Sequence, residues 1–340
     1  MKDDPLKVPL SDVAEDAACL IRAFRENGEI SFQNVPVNVS RQNYRNSCRV
    51  NGLRSEILSH VADHLCRTSD GGTVSLREYR PAGMSRDAML PLVLFIHGGG
   101  WVLGDLDTHD PVCRALCNGS GAAVFAVDYR RPPEFKFPIP LCDCRDALAW
   151  IAVHSRELRV DPRRMAVVGD SAGGNLAAVL ANSPPLQPKG SNLKVQALFY
   201  PVTDLRGETA SYRRLSSGFP LTAGSMDWFR SHYLAGKEDL HDPRLSPLLA
   251  LERCLAPMFI VTCGLDPLSD EGIDYATTAA HSGGLVEHHH RPAHAHGIFT
   301  SAGRIKTGAR LLSRAAAFLK EHLDESPHAD SLAARTGEGG

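Results

Sequence analysis

The chain has 340 residues, of which 43% are hydrophobic and 22% charged, enough apolar material for one large buried core. Its 37 Lys and Arg against 39 Asp and Glu leave a net charge of −2, so no basic field is available for nucleic acid or membrane phosphates. No apolar run approaches the roughly 20 residues needed to cross a bilayer, and nothing resembles a signal peptide, so a soluble cytoplasmic protein is expected.

Residues 10–27 read as a helix with Ser11 as a candidate N-cap, and residues 41–61 as a lead-in to the main domain. The alternating segment Thr73-Val74-Ser75-Leu76-Arg77-Glu78-Tyr79 is expected to open the sheet. Strand and helix patterns then alternate to the end, the signature of an α/β fold with a mostly parallel central sheet flanked by helices. The first buried strand, Leu92-Val93-Leu94-Phe95-Ile96, runs into His97-Gly98-Gly99-Gly100-Trp101. Three glycines let main-chain N–H groups approach a substrate closely, so Gly98, Gly99 and Gly100 are candidate oxyanion donors. His97 is expected to brace this loop.

The next informative segment is Met165-Ala166-Val167-Val168 followed by Gly169-Asp170-Ser171-Ala172-Gly173 and a helix over residues 175–182. A strand, a sharp turn and a helix are the context of a nucleophile elbow, with Ser171 raised above the sheet. Ala172 would supply a further oxyanion N–H at the helix start. After the strand Gln196-Ala197-Leu198-Phe199-Tyr200, an insertion over about residues 204–247 carries a helix with Met226, Phe229 and Tyr233 on one face. Trp101, Trp228 and Phe229 are candidate pocket walls.

A serine nucleophile needs a base and a carboxylate that orients it. The strand Met258-Phe259-Ile260-Val261-Thr262-Cys263 ends in a loop carrying Asp266, the preferred acid, with Asp270 and Glu271 as alternatives in the next helix's first turn. Five histidines follow, His288, His289, His290, His294 and His296. His296 is the preferred base because it precedes Gly297 in a loop, and His294 is its competitor. His288 and His290 share a face of a strand and could ligate a metal, but no paired-Cys or acid-rich partner motif accompanies them, so no metal is expected.

Together His97-Gly98-Gly99-Gly100-Trp101, Gly169-Asp170-Ser171-Ala172-Gly173-Gly174-Asn175, Asp266-Pro267-Leu268-Ser269-Asp270-Glu271-Gly272 and His296-Gly297 resemble the hormone-sensitive-lipase-like carboxylesterases, bacterial family IV, of the α/β-hydrolase fold. The spacings are similar too, with 74 positions from His97 to Ser171 and 30 from Asp266 to His296. The resemblance implies Ser171 as nucleophile, Asp266 as acid and His296 as base, with no cofactor. It implies a small-molecule ester substrate with a short to medium acyl chain or a small aromatic group. It also implies a helical cap built from residues 1–55 and 204–247, over a catalytic domain of residues 56–323; residues 324–340, polar and Gly-rich, are expected to form a disordered tail. Two departures stand out. The chain reads Tyr129-Arg130-Arg131-Pro132-Pro133-Glu134 where the family has Tyr-Arg-Leu-Ala-Pro-Glu, and Ile298-Phe299 where Phe commonly follows His-Gly directly. An amidase, lactonase or deacetylase would use the same triad, and a ligand-binding module on this fold would not need it. The sheet's edge strands could pair across a homodimer. The nine cysteines, without zinc-ribbon spacing, are expected to be buried thiols.

Overall fold

The computed structural model describes residues 7–85, 87–182, 193–251 and 256–324. Their centre is an eight-stranded sheet: β1 (His60–Arg67), β2 (Thr73–Arg80), β3 (Leu90–Ile96), β4 (Ala123–Asp128), β5 (Val160–Asp170), β6 (Leu193–Phe199), β7 (Met258–Leu265) and β8 (Val286–Ala295). The spatial order is β1-β2-β4-β3-β5-β6-β7-β8. β1 and β2 pair antiparallel, as do β2 and β4, and every later pairing is parallel. The central strands β3 and β7 are buried at every position, which is why they read as unbroken apolar runs.

The sheet begins one strand earlier than expected. β1 is an edge strand whose positions alternate between half-buried and exposed, and it carries His60, Asp63, His64 and Arg67. Those polar residues hide its period from a hydrophobicity reading.

The main helices are α1 (Glu15–Glu26), α2 (Val37–Asn51), α3 (Leu106–Ser120), α4 (Ile139–Val153), α5 (Ala172–Asn182), α6 (Ala210–Arg214), α7 (Ala223–Tyr233), α8 (Ser269–His281) and α9 (Lys306–Asp324). One face of the sheet buries α3, α9 and the inner side of α1; the other buries α4, α5, α7 and α8. The first helix starts later than expected. A short turn at Leu10–Asp12 precedes α1, whose N-cap is Ala14. Ser11 lies inside that turn rather than before α1, which has no side-chain cap. The helix after Ser171 begins at Ala172, three residues before the expected start.

Of the cysteines among the described residues, Cys48, Cys66, Cys113, Cys117, Cys144 and Cys263 are buried free thiols; Cys142 is partly buried, and Cys19, against expectation, is exposed. Among the described helices none is long and apolar enough to cross a membrane. The expected tail lies, after Asp324, outside the described residues.

Two glycines hold α5 against the strands. A Cβ on Gly173 would stand 2.0 Å from the Ile96 carbonyl oxygen at the end of β3, and one on Gly169 would stand 2.3 Å from the Gly173 oxygen. These are backbone atoms that cannot yield. Gly173→Ala should therefore cost about 3 kcal/mol through overpacking and lower Tm by roughly 5–10 °C. Gly224 in α7 meets nothing closer than 3.7 Å, so Gly224→Ala should leave Tm unchanged or raise it slightly. Thermal denaturation of both variants checks the contrast.

Candidate active site

The loops at the carboxyl ends of β3, β5 and β8 converge, with the N-terminal helices, on a cavity of about 490 Å³. Ser171, Gly99, Gly100 and His296 all line it. Ser171 has φ 55°, the strained left-handed conformation of an elbow between β5 and α5. Its N–H donates to the Phe199 oxygen at 2.8 Å, and its own carbonyl accepts from Asn175 and Val202 at 3.0 and 3.2 Å. The strained residue is thus held by β6, by the loop after it and by its own helix.

Asp266 is fully buried at the end of β7. Its Oδ1 accepts from the Leu268 N–H at 3.0 Å, and its Oδ2 lies 2.6 Å from His296 Nδ1. With Nδ1 so engaged, Nε2 is the ring nitrogen left to exchange a proton. The Tyr200 ring packs on the imidazole at 4.4 Å. Asp270 is spent elsewhere, accepting from the Ser211 N–H at 2.8 Å.

The remaining histidines are bound to other partners. His294 Nε2 meets Asp16 of α1 at 3.0 Å, and Asp16 also accepts from the Thr307 N–H. His289 meets Glu287 at 2.7 Å. His288 and His290 both bond the Thr262 hydroxyl, at 2.8 and 2.9 Å. Burial and the neighbouring histidines push His288 down to about 4, so it is neutral. Among the described residues no group of three or more His, Cys, Asp and Glu could hold a metal ion.

The glycine loop requires a correction. The Gly98 N–H donates to Asp170 Oδ1 at 2.8 Å, so it is not free to face an oxyanion. Asp170 also lies 3.1 Å from His109 Nε2. Although burial opposes ionisation, His109 and the Gly98 amide hold the Asp170 carboxyl below its ordinary range. Gly99, Gly100 and Ala172 remain as candidate donors, Ala172 at the first turn of α5, where N–H groups lack helical partners. Gly100, at φ 58°, admits no side chain, because the Phe229 ring occupies the space where a Cβ would be. His97 is buried, bonded to the Gly98 oxygen at 2.9 Å and stacked on Tyr129. Burial, then His109 and Arg131, push its pKa down to about 3. It braces the loop as expected.

Two of the three expected pocket aromatics lie elsewhere. Trp101 is fully buried and stacked on Tyr233 at 4.3 Å, behind the glycine loop. Trp228 is only half-buried and packs on Phe229 and His232. Met226, Phe229 and Tyr233 form the inward face of α7, and Trp228 is rotated off it. Phe229 does line the cavity. The two sequence departures are absorbed by packing. Arg131 donates to the Gly104 oxygen, and Phe299 stacks on Phe199 while its N–H donates to the Tyr200 hydroxyl.

Glu271, an alternative acid by sequence, occupies a more specific position. It is fully buried, its Oε1 accepts from the Thr203 and Asp204 N–H groups, and its Oε2 has no partner among the described residues. Burial raises its carboxyl well above the ordinary value near 4.5. A raised folded-state value means that the native state keeps a proton the unfolded chain releases. Stability is therefore undiminished below about 4.5 and falls as pH rises toward the folded value. Glu271→Gln keeps the acceptor and removes this loss. Its Tm relative to the parent should climb steadily between about pH 5 and pH 8, as thermal melts across that range would register; a constant difference would refute the neutral carboxyl.

Residues 93–300 match a family described as alpha/beta hydrolase fold. The chain is similar to a carboxylic ester hydrolase, LipN, of Mycobacterium tuberculosis, at 41% identity over 74% of this chain and 68% of that protein. It is also similar to an ethyl acetate hydrolase of Pseudomonas putida, at 32% identity over 89% and 96%. A crystal structure of a thermostable esterase from Pseudomonas putida ECU1011 superposes with a TM-score of 0.86 at 30% identity, over 92% of this chain and 98% of that one.

Proposed function

Because the chain belongs to the hormone-sensitive-lipase-like branch of the α/β-hydrolase fold and is a serine hydrolase of carboxylic esters, we propose that Ser171 is its nucleophile, His296 its base and Asp266 the acid that orients it. The observation that carries this reading is the 2.6 Å contact of His296 with buried Asp266, on the same cavity as the strained Ser171. An ester carbonyl over Ser171 would turn its oxygen toward the Gly99, Gly100 and Ala172 amides. His296 takes the serine proton as the hydroxyl attacks, and the buried carboxylate stabilises the imidazolium. The tetrahedral species then collapses. His296 returns the proton to the departing alkoxide, and an acyl-Ser171 enzyme remains. Water, deprotonated by the same imidazole, releases the acid. Each oxyanion donor contributes roughly 3 kcal/mol, about two orders of magnitude in turnover.

Substrates with short to medium acyl chains or small aromatic groups suit a cavity of about 490 Å³, within the usual range for small-molecule sites. The ethyl acetate hydrolase among the relatives points the same way. The free thiols of the described cysteines fit a cytoplasmic location.

Hydrolysis of p-nitrophenyl esters from acetate to palmitate is expected to peak at short chains. Ser171→Ala and His296→Ala should each lower kcat by at least about 10³-fold without loss of fold. His294→Ala should instead lower Tm and leave kcat within a few-fold, since His294 anchors α1. Full turnover in Ser171→Ala, or an unaffected His296→Ala, would remove the assignment. Chelators should not change the rate.

A further inference from the structure

Arg131 stands where the resembled family carries leucine, and both of its contacts are ones a leucine could not make. It follows Asp128, the last residue of β4, by three positions. Its Nη1 donates to the Gly104 oxygen, and its Nη2 lies 3.5 Å from Asp128 Oδ1. The guanidinium is thereby held between the end of a central strand and a backbone carbonyl of the glycine turn. The Arg131 side chain is only 19% exposed, so these contacts are largely shielded from water.

Gly104 closes the turn that Gly98 opens, and the two ends rest on each other. A Cβ on Gly104 would stand 2.3 Å from the Gly98 oxygen and 2.6 Å from His97 Nδ1. One on Gly99 would stand 2.8 Å from the Leu103 carbonyl carbon and 3.0 Å from the Gly104 nitrogen. The Leu103 and Val102 N–H groups donate to the Gly99 oxygen at 2.8 and 3.2 Å, closing the turn from within. Gly99 and Gly104 have φ 107° and 77°, and glycine holds such angles with little preference of its own. A backbone so free has to be fixed from outside. Asp170 takes the Gly98 N–H, Arg41 the Val102 oxygen and Arg131 the Gly104 oxygen.

Resting on the esterase reading above, we infer that Arg131 is a positioning residue for the oxyanion-binding turn. Its guanidinium clamps Gly104 from behind, so that the Gly99 and Gly100 amides hold their aim while the tetrahedral species forms. A planar fork suits the task because it serves two acceptors at once, whereas a lysine ammonium is a single point charge. Leucine at this position would give the Gly104 oxygen no donor. It would also leave Asp128 without its cation, and Asp128 Oδ1 is buried with no hydrogen bond among the described residues. Burial raises the Asp128 carboxyl, and Arg131 favours its charged form, so each end of the clamp secures the other. Oxyanion donors work by being fixed before charge develops on the substrate. Slack in the turn is therefore felt in the transition state and hardly at all in ground-state binding.

The test reads kcat and KM separately on p-nitrophenyl butanoate, with thermal melts to establish that each variant is folded. Arg131→Leu should lower kcat about tenfold and leave KM within about twofold of the parent, the pattern of an interaction made in the transition state. Butaneboronic acid supplies a second readout. Its boron bonds the Ser171 Oγ as the hydroxyl proton passes to His296, and the tetrahedral adduct turns a negatively charged face to the same amides. Its Ki should rise about tenfold in Arg131→Leu, in step with kcat. Arg131→Lys keeps the charge, gives up the fork and is the gentler change, so it should lose about threefold in both readouts. Parent-like kcat and boronate affinity in either variant overturn the inference, as does a loss confined to KM, while the esterase assignment stands. A folded parent that hydrolyses no ester overturns both.

Discussion

The site depends on how closely the backbone leaving β5 passes the end of β3. Gly173 lies against the Ile96 carbonyl, and only a residue without a side chain permits that approach. The approach brings Asp170 under the glycine loop, where its carboxylate takes the Gly98 N–H. One residue before the serine therefore sets the height of the loop that would face the oxyanion. His109 and His97 complete this support from behind, with His97 kept neutral by burial. The electrostatics of the cavity are thus arranged from its floor by Asp170 and from behind by the two histidines.

The outline of this arrangement was legible in the sequence for a physical reason. Strands buried on both faces have no polar positions, so β3, the core of β5 and β7 announced themselves, and the chemistry hangs on their carboxyl ends. Asp266 could be selected because it leaves such an end in a loop, and His296 because it precedes Gly297 just before the last helix, although its strand β8 is half-buried and polar. What escaped was whatever depends on facing. Gly98 looks the same as Gly99 in a run of three, and only the position of Asp170 separates an occupied amide from those left to face a substrate. Trp101 and Trp228 are aromatic residues near the right segments, yet the turn of the loop and the pitch of α7 direct them away from the cavity. β1 was hidden because an exposed edge strand needs little apolar content.

α2 was equally hidden, and for the opposite reason to a core helix. Its cavity-side residues are polar and partly exposed to solvent, so no hydrophobic period marks it. Its position is maintained by charged anchors on its other side: Arg41 bonds Glu134 in a two-pronged pair at 2.8 Å, and Arg45 bonds Asp105. Such partly exposed pairs contribute modestly to stability, but their directionality fixes a helix that apolar packing alone would leave free to rotate. α1 is tied similarly, by Asp16 to His294 and Thr307.

Arg41 also donates to the Val102 oxygen at 2.9 Å and to the Pro132 oxygen at 2.8 Å. Val102 follows Gly99, Gly100 and Trp101 directly, so a single guanidinium joins the helix over the cavity to the turn that presents the amides beneath it. Lifting that helix to widen the entrance would pull on the turn. Access and readiness for chemistry are consequently geared together: the protein cannot admit a bulkier guest by yielding at α2 without slackening the grip it would need to transform it.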